Sequence, residues 1–285
     1  ELPGYVLNVG SIDAEGGSDI FFGGPAGSIV DNYLGGIISA VDGGYVLFTN
    51  VFLNGGEIDS IGQDSLVEFN GTTVAHATLH GESGGIFRTR PDTGTTVIFD
   101  GSGGVYARVA IEAGTDVIVS PNTTLEMLGE IHNAGNVTLA GNAAGAAVMQ
   151  IDGDVTLTGH GNLNLLNPTY AVVISQNATP ATLELVGQTV TGTGHLGGGA
   201  LNLINDAGSV IDANIDIAGD RLWIETGAGT FTNHGLVVSS GAGGLDVAGD
   251  VMNDGTLQAN AGLLEVHGAV TGHGHANIGG GIMRF

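Results

Sequence analysis

An all-β fold is predicted for this chain: a parallel β-helix (β-solenoid) with right-handed connections and about 20 residues per turn. Two recurrences lead to it. The phrase Leu157-Thr-Gly-His-Gly-Asn-Leu163 returns as Val190-Thr-Gly-Thr-Gly-His-Leu196 and as Val270-Thr-Gly-His-Gly-His-Ala276, the last two separated by four such units. Asn233-His-Gly235 recurs one unit later as Asn253-Asp-Gly255, and Leu245-Asp-Val-Ala-Gly-Asp-Val251 recurs as Leu264-Glu-Val-His-Gly-Ala-Val270. A unit this short cannot bury its own apolar face, so it must stack on neighbours of the same kind. A β-sandwich or jelly roll is the alternative architecture.

The elements follow from local pattern. From about residue 115 the chain repeats apolar-polar-apolar triplets: Leu125-Glu-Met127, Val137-Thr-Leu139, Val155-Thr-Leu157, Leu163-Asn-Leu165, Leu183-Glu-Leu185, Leu201-Asn-Leu203, Ile215-Asp-Ile217, Leu245-Asp-Val247 and Leu264-Glu-Val266. Period-two alternation makes each a short strand with its outer pair inside and its middle residue outside. Between them lie Asn133-Ala-Gly135, Asn142 to Gly145, Gly227 to Gly229 and Gly241 to Gly244, residue types that tolerate positive φ and so mark corners. No stretch has a 3.6-residue period. By this unit the chain makes about 14 turns, a rod about 65 Å long at the ~4.8 Å spacing between strands.

Residues 1–110 fit this frame less cleanly. Gly44-Tyr-Val-Leu-Phe-Thr-Asn50, Ser65-Leu-Val-Glu-Phe69 and Thr95-Thr-Val-Ile-Phe-Asp100 are strands by residue type, and most of the Phe and Tyr residues lie here, but the spacing is irregular. This part is expected to be an irregular solenoid or cap, with 111–285 as the regular repeats of one continuous domain. Arg88-Thr-Arg90-Pro-Asp92 is the one cationic spot and reads as an exposed loop.

Composition narrows the function classes. The 53 glycines show no Gly-X-Y period, and 42% hydrophobic content is too high for a disordered linker. Twenty-nine acidic residues stand against five arginines and no lysine, a net charge of -24 that repels phosphate backbones and argues against nucleic-acid binding. The absence of cysteine rules out disulfides and thiolate chemistry. No run of 18 apolar residues exists, so no membrane insertion by a helix of this chain is expected. A start at Glu1 fits a cleaved signal peptide or an excised fragment.

Gly129-Glu-Ile-His-Asn-Ala-Gly-Asn-Val-Thr-Leu139, Gly194-His-Leu-Gly-Gly-Gly-Ala-Leu-Asn-Leu203 and Gly279-Gly-Gly-Ile-Met-Arg-Phe285 are phrases of a particular style. In them, the stretch from Thr124 to Phe285 resembles the repeat segments of large bacterial surface adhesins and autotransporter passengers. The resemblance implies an extracellular or cell-surface location and a structural or adhesive role. It transfers no catalytic residue.

The residue chemistry is compatible with that role. Parallel β-helices that cleave polysaccharides need paired carboxylates, or a basic group against a developing anion. Asp152 with Asp154 and Asp212 with Asp216 are the candidate pairs, and both read as ordinary outward strand or turn positions. The outward triplet residues Glu126, Glu184, Asp216, Asp246 and Glu265 would repel one another if stacked on adjacent turns, unless Asn or Thr interleaves or a cation bridges them; calcium, which takes oxygen ligands, is the candidate. His273 and His275 offer too few ligands for zinc. Trp223 with Arg221 suggests a sugar-stacking spot, although a lone aromatic on a strand is more often core.

The expected function is therefore a non-enzymatic extracellular module that extends, adheres or self-assembles, with identical copies as partners and a glycan or cell surface as a further one. Met283 and Phe285 are the candidate assembly end. A carbohydrate-binding or polysaccharide-cleaving β-helix is the alternative.

Overall fold

The structure, a computed structural model, describes residues 4–33, 35–91, 93–103, 108–175, 180–198 and 200–285. These residues form strands, turns and bends without a helix, and the strands join into one continuous parallel sheet. The chain winds as a β-solenoid with about 24 residues per turn, so its 285 residues make about 12 turns. The predicted fold class thus holds, while the unit of 20 and the 14 turns do not. At ~4.8 Å per turn the rod is about 58 Å long rather than 65 Å.

The shorter unit was read where the turns themselves are shortest. Registers in the last turns advance by that unit, as in Asn233↔Asn253 and Leu245↔Leu264. Some earlier registers advance by as little, as in Ile37↔Glu57 and Leu183↔Leu203, but others are longer because corners carry loops: Thr78 pairs with Ala110 and Leu203 with Phe231. The spacing of the Thr-Gly phrases at Val190 and Val270 is a coincidence of these unequal turns. Val190 pairs with Ile211, whereas Val270 pairs with Val251 in a different column. The first and third Thr-Gly phrases do share a corner. Gly159 and Gly272 both have φ near +105°, and a Cβ on either would meet the carbonyl of Asn133 or Asn253 within 2.4 Å, so both positions require glycine.

Stacking aligns like residues along the axis. One inward column runs Ile20, Val46, Val67, Phe87, Val117, Val137, Leu163, Val190, Ile211, Val237, Leu257, Ala276. The buried members of such columns merge into one apolar core that passes without interruption through residues 1–110. There the phenylalanines stack on successive turns, with ring centroids 5.0 Å apart for Phe22–Phe48, 5.7 Å for Phe48–Phe69 and 6.3 Å for Phe69–Phe87.

Asparagines do the same at the corners. Asn205 Nδ2 donates to Asn233 Oδ1 at 2.8 Å and Asn233 Nδ2 to Asn253 Oδ1 at 2.7 Å, all three side chains being buried. Asn8 donates likewise to Asn32, and Asn133 to Gln188 Oε1. A buried amide on a sharp corner thus finds a partner in an amide further along the axis, although Asn133 Oδ1 and Asn205 Oδ1 are buried without a hydrogen bond.

Two expectations fail locally. Ile215-Asp-Ile217 is not a strand: it follows the strand Val210–Ala213 as a loop, with Ile217 63% exposed. Arg88 is not in a loop but in the strand Ile86–Thr89, where register places it on Glu68 and Nε lies 2.6 Å from Oε1. That carboxylate is buried and also receives the Tyr45 hydroxyl, so the cationic spot answers an internal charge. Asp92 lies outside the described residues.

Candidate ligand-binding face

The richest outward column is built from three triplet strands. In Leu222–Ile224, Leu245–Val247 and Leu263–Val266 the flanking Leu, Ile and Val side chains enter the core, which turns Trp223, Asp246 and Glu265 outward. Parallel register then stacks His195, Trp223, Asp246, Glu265 and Arg284 on successive turns. Trp223 is half-buried on the outer surface rather than in the core.

Its charges are compensated within the chain. Arg221 Nη1 lies 2.8 Å from Asp246 Oδ2 and 3.4 Å from Glu265 Oε2, with its guanidinium carbon 5.9 Å from the centre of the Trp223 ring. Arg284 approaches Glu265 at 3.7 Å. His195 stacks on the indole, with centroids 6.4 Å apart and planes 11° from parallel, and its Nδ1 lies 3.0 Å from Glu225 Oε2. Asp246 is 2% exposed, and His267 Nε2 stands 3.0 Å from its Oδ1 outside hydrogen-bond geometry. Asp246, Glu265 and His267 together could hold a metal ion, but Arg221 already occupies the space between the two carboxylates.

Of the five acidic residues singled out in the sequence, Asp246 and Glu265 are the pair brought together on adjacent turns. Glu126 accepts from Gln150 Nε2 at 3.1 Å, Glu184 from Thr156 Oγ1 at 3.2 Å, and Asp216 from the Ala242 N–H at 3.3 Å. Glu126 pairs in register with Ile98 and Gln150, and Glu184 with Thr156 and Ile204, so neither stacks on another carboxylate.

The carboxylate pairs weighed for catalysis lie at a bulge and at the end of a strand. Asp152 and Asp154 flank Gly153, where the register with the preceding strand shifts at a bulge. Asp212 accepts from Ser240 Oγ at 2.6 Å across the turn. His273 is fully exposed on a corner, 3.6 Å from Asp254, and His275 begins the next strand. At the end of the rod Met283 packs partly against the core above Leu264, and Phe285 is 68% exposed.

The sequence pattern did not mark a second outward cluster, Glu57, Asp59 and His80, because its two strands, Glu57–Ile61 and Thr78–Glu82, do not repeat one another in sequence. A signal was present. Glu57-Ile-Asp59 and Thr78-Leu-His80 share a polar-apolar-polar alternation, and register pairs Asp59 with His80.

No protein-family model matches the chain, and no curated protein is similar to it.

Proposed function

We propose that this chain is a module of an extracellular, non-enzymatic bacterial surface protein that acts as an extended, adhesive rod and associates with copies of itself. The observation that carries this reading is the sheet: among the described residues, parallel strand pairing runs from Tyr5 to Arg284 along one axis. Backbone pairing along the axis resists extension because every turn adds hydrogen bonds to the next. The strands His275–Ile278 and Ile282–Arg284 have a partner on one side only, and they carry exposed Ile278 and Ile282 beside Phe285. Such edges favour addition of a further parallel layer, from another copy or from more of the same protein. The surface charge of -24 suits a polymer that stays dispersed until edges or cations join it. Electron microscopy of the purified chain tests the reading: filaments or sheets support it, and single short rods at every concentration count against it.

A second reading has its own observation. Trp223 presents a half-exposed indole beside Arg221, Glu225 and Glu265, a combination of aromatic face and hydrogen-bonding charges that suits a sugar ring. Glycan-array binding that disappears in Trp223→Ala would support adhesion through this face. Binding unchanged in that variant would remove the face from the account.

A further inference from the structure

The cluster of Glu57, Asp59 and His80 has a property that the Trp223 face lacks: an internal carboxylate with no arginine. The five arginines are the only strongly basic side chains, and each pairs elsewhere: Arg88 and Arg90 with Glu68, Arg108 with Glu130, Arg221 with Asp246 and Glu265, and Arg284 with Glu265. Asp59 is nevertheless 8% exposed, and its Oδ1 is buried without a hydrogen-bond partner. Ser39, its register neighbour on the preceding turn, gives its hydroxyl to Asp13 instead. An ionised, buried carboxylate is costly, a second carboxylate beside it adds repulsion, and His80, 3.6 Å away, offsets this only when protonated.

The geometry explains what would relieve both. Glu57 and Asp59 stand two residues apart on the strand Glu57–Ile61, hence on one face, and His80 comes from the strand Thr78–Glu82 directly alongside. His80 Nδ1 is 3.6 Å from Asp59 Oδ1 and 3.7 Å from Glu57 Oε1, and the three ligand atoms lie within 4.8 Å of one another. Tetrahedral ligands about 2.1 Å from a metal sit about 3.4 Å apart, so the two imidazole–carboxylate distances need to contract by a few tenths of an ångström and the carboxylate pair by at most about 1.4 Å. Glu112 lines the same surface groove as Glu57.

We propose that Glu57, Asp59 and His80 form a binding site for a first-row divalent cation, zinc being the best fit. One imidazole and two carboxylates suit such an ion, whereas calcium prefers six to eight oxygens and magnesium an octahedron of oxygens. The ion would tie two turns of the rod together through side chains, adding to the backbone pairing between them. This site is independent of the adhesive role.

The test is zinc binding to the full chain, free of any affinity tag, by isothermal titration calorimetry and by thermal unfolding. Expected are one tight equivalent, a Tm raised by several degrees, and at least a tenfold loss of affinity in both Asp59→Asn and His80→Gln. Asp59→Asn removes an uncompensated charge and is expected to fold, which circular dichroism confirms separately. His267→Gln, which alters the other cluster, is expected to bind as wild type. Absence of a stoichiometric site, full affinity in both Asp59→Asn and His80→Gln, or loss in His267→Gln alone would overturn the assignment. Displacement of the zinc by an equal concentration of calcium would overturn the choice of ion.

Discussion

Asn233 donates its side-chain amide to Asn253 one turn further along the rod, at 2.7 Å, and accepts in turn from Asn205. The three amides sit fully inside a corner where the apolar column from Ile131 through Leu157 and Leu185 gives way to asparagine. Replacing Asn233 by Ala strands a donor on Asn205 and an acceptor on Asn253. The expected cost is about 2–3 kcal/mol of unfolding free energy by urea denaturation, against less than about 0.5 kcal/mol for the exposed neighbour His234→Ala. Equal losses in the two variants would mean that the ladder adds nothing.

Phe48 is sandwiched between Phe22 and Phe69 and has no exposed surface. Phe48→Ala opens a cavity that the stacked turns above and below cannot fill without shifting register, and is expected to cost about 3–5 kcal/mol. Phe21, beside Phe22 on the preceding turn but 63% exposed, is the control, and Phe21→Ala is expected to cost under about 1 kcal/mol by the same denaturation assay.

Arg221 holds the stacked Asp246 and Glu265 together. Arg221→Ala leaves the buried Asp246 carboxylate without its guanidinium and is expected to destabilise by about 2–4 kcal/mol. Adding Asp246→Asn to that variant is expected to recover at least half of the loss, because the uncompensated charge goes with it. A double variant no more stable than Arg221→Ala would place the cost in lost packing on Trp223 instead.

Asp59 has its carboxyl pushed up to about 6, first by burial and then by the charge of Glu57, with Glu112 adding to the rise and His80 opposing it. Since the folded value lies above the unfolded one, the protonated side chain contributes stability that is fully present below about pH 4 and lost as pH rises through about 6. In metal-free buffer, Asp59→Asn is therefore expected to gain on wild type by about 1–3 kcal/mol between pH 4 and pH 7. Parallel stability curves for the two proteins over that range would contradict this.

The period-two triplets and Asn-Gly corners made the fold legible because each strand is short and half-buried by the same alternation. Leu183-Glu-Leu185 and Val137-Thr-Leu139 have the inward and outward residues that the pattern requires. Turn length was harder to read, since strands fix which residues face inward while loops set how many separate one turn from the next. The shortest turns, around Asn233 and Asn253, repeat closely enough to be seen, and they biased the unit toward a low value. The outward chemistry was legible where strands repeat in sequence, as for Asp246 above Glu265, and hidden where they do not. Arg221 lies just before its strand and reaches along the axis, so nothing in the triplet pattern marks it as the bridge. Asp59 and His80 are one turn apart, on strands Glu57–Ile61 and Thr78–Glu82 whose sequences do not repeat one another.

The central claim, a rod that joins end to end or side by side in its extracellular role, is tested most directly by electron microscopy of the purified chain at low and at millimolar calcium, with chelator as control. Ordered filaments or sheets are expected, and their loss in chelator would assign the contacts between rods to calcium. Dispersed particles about 58 Å long under every condition would contradict self-association and move glycan binding at Trp223 to the front.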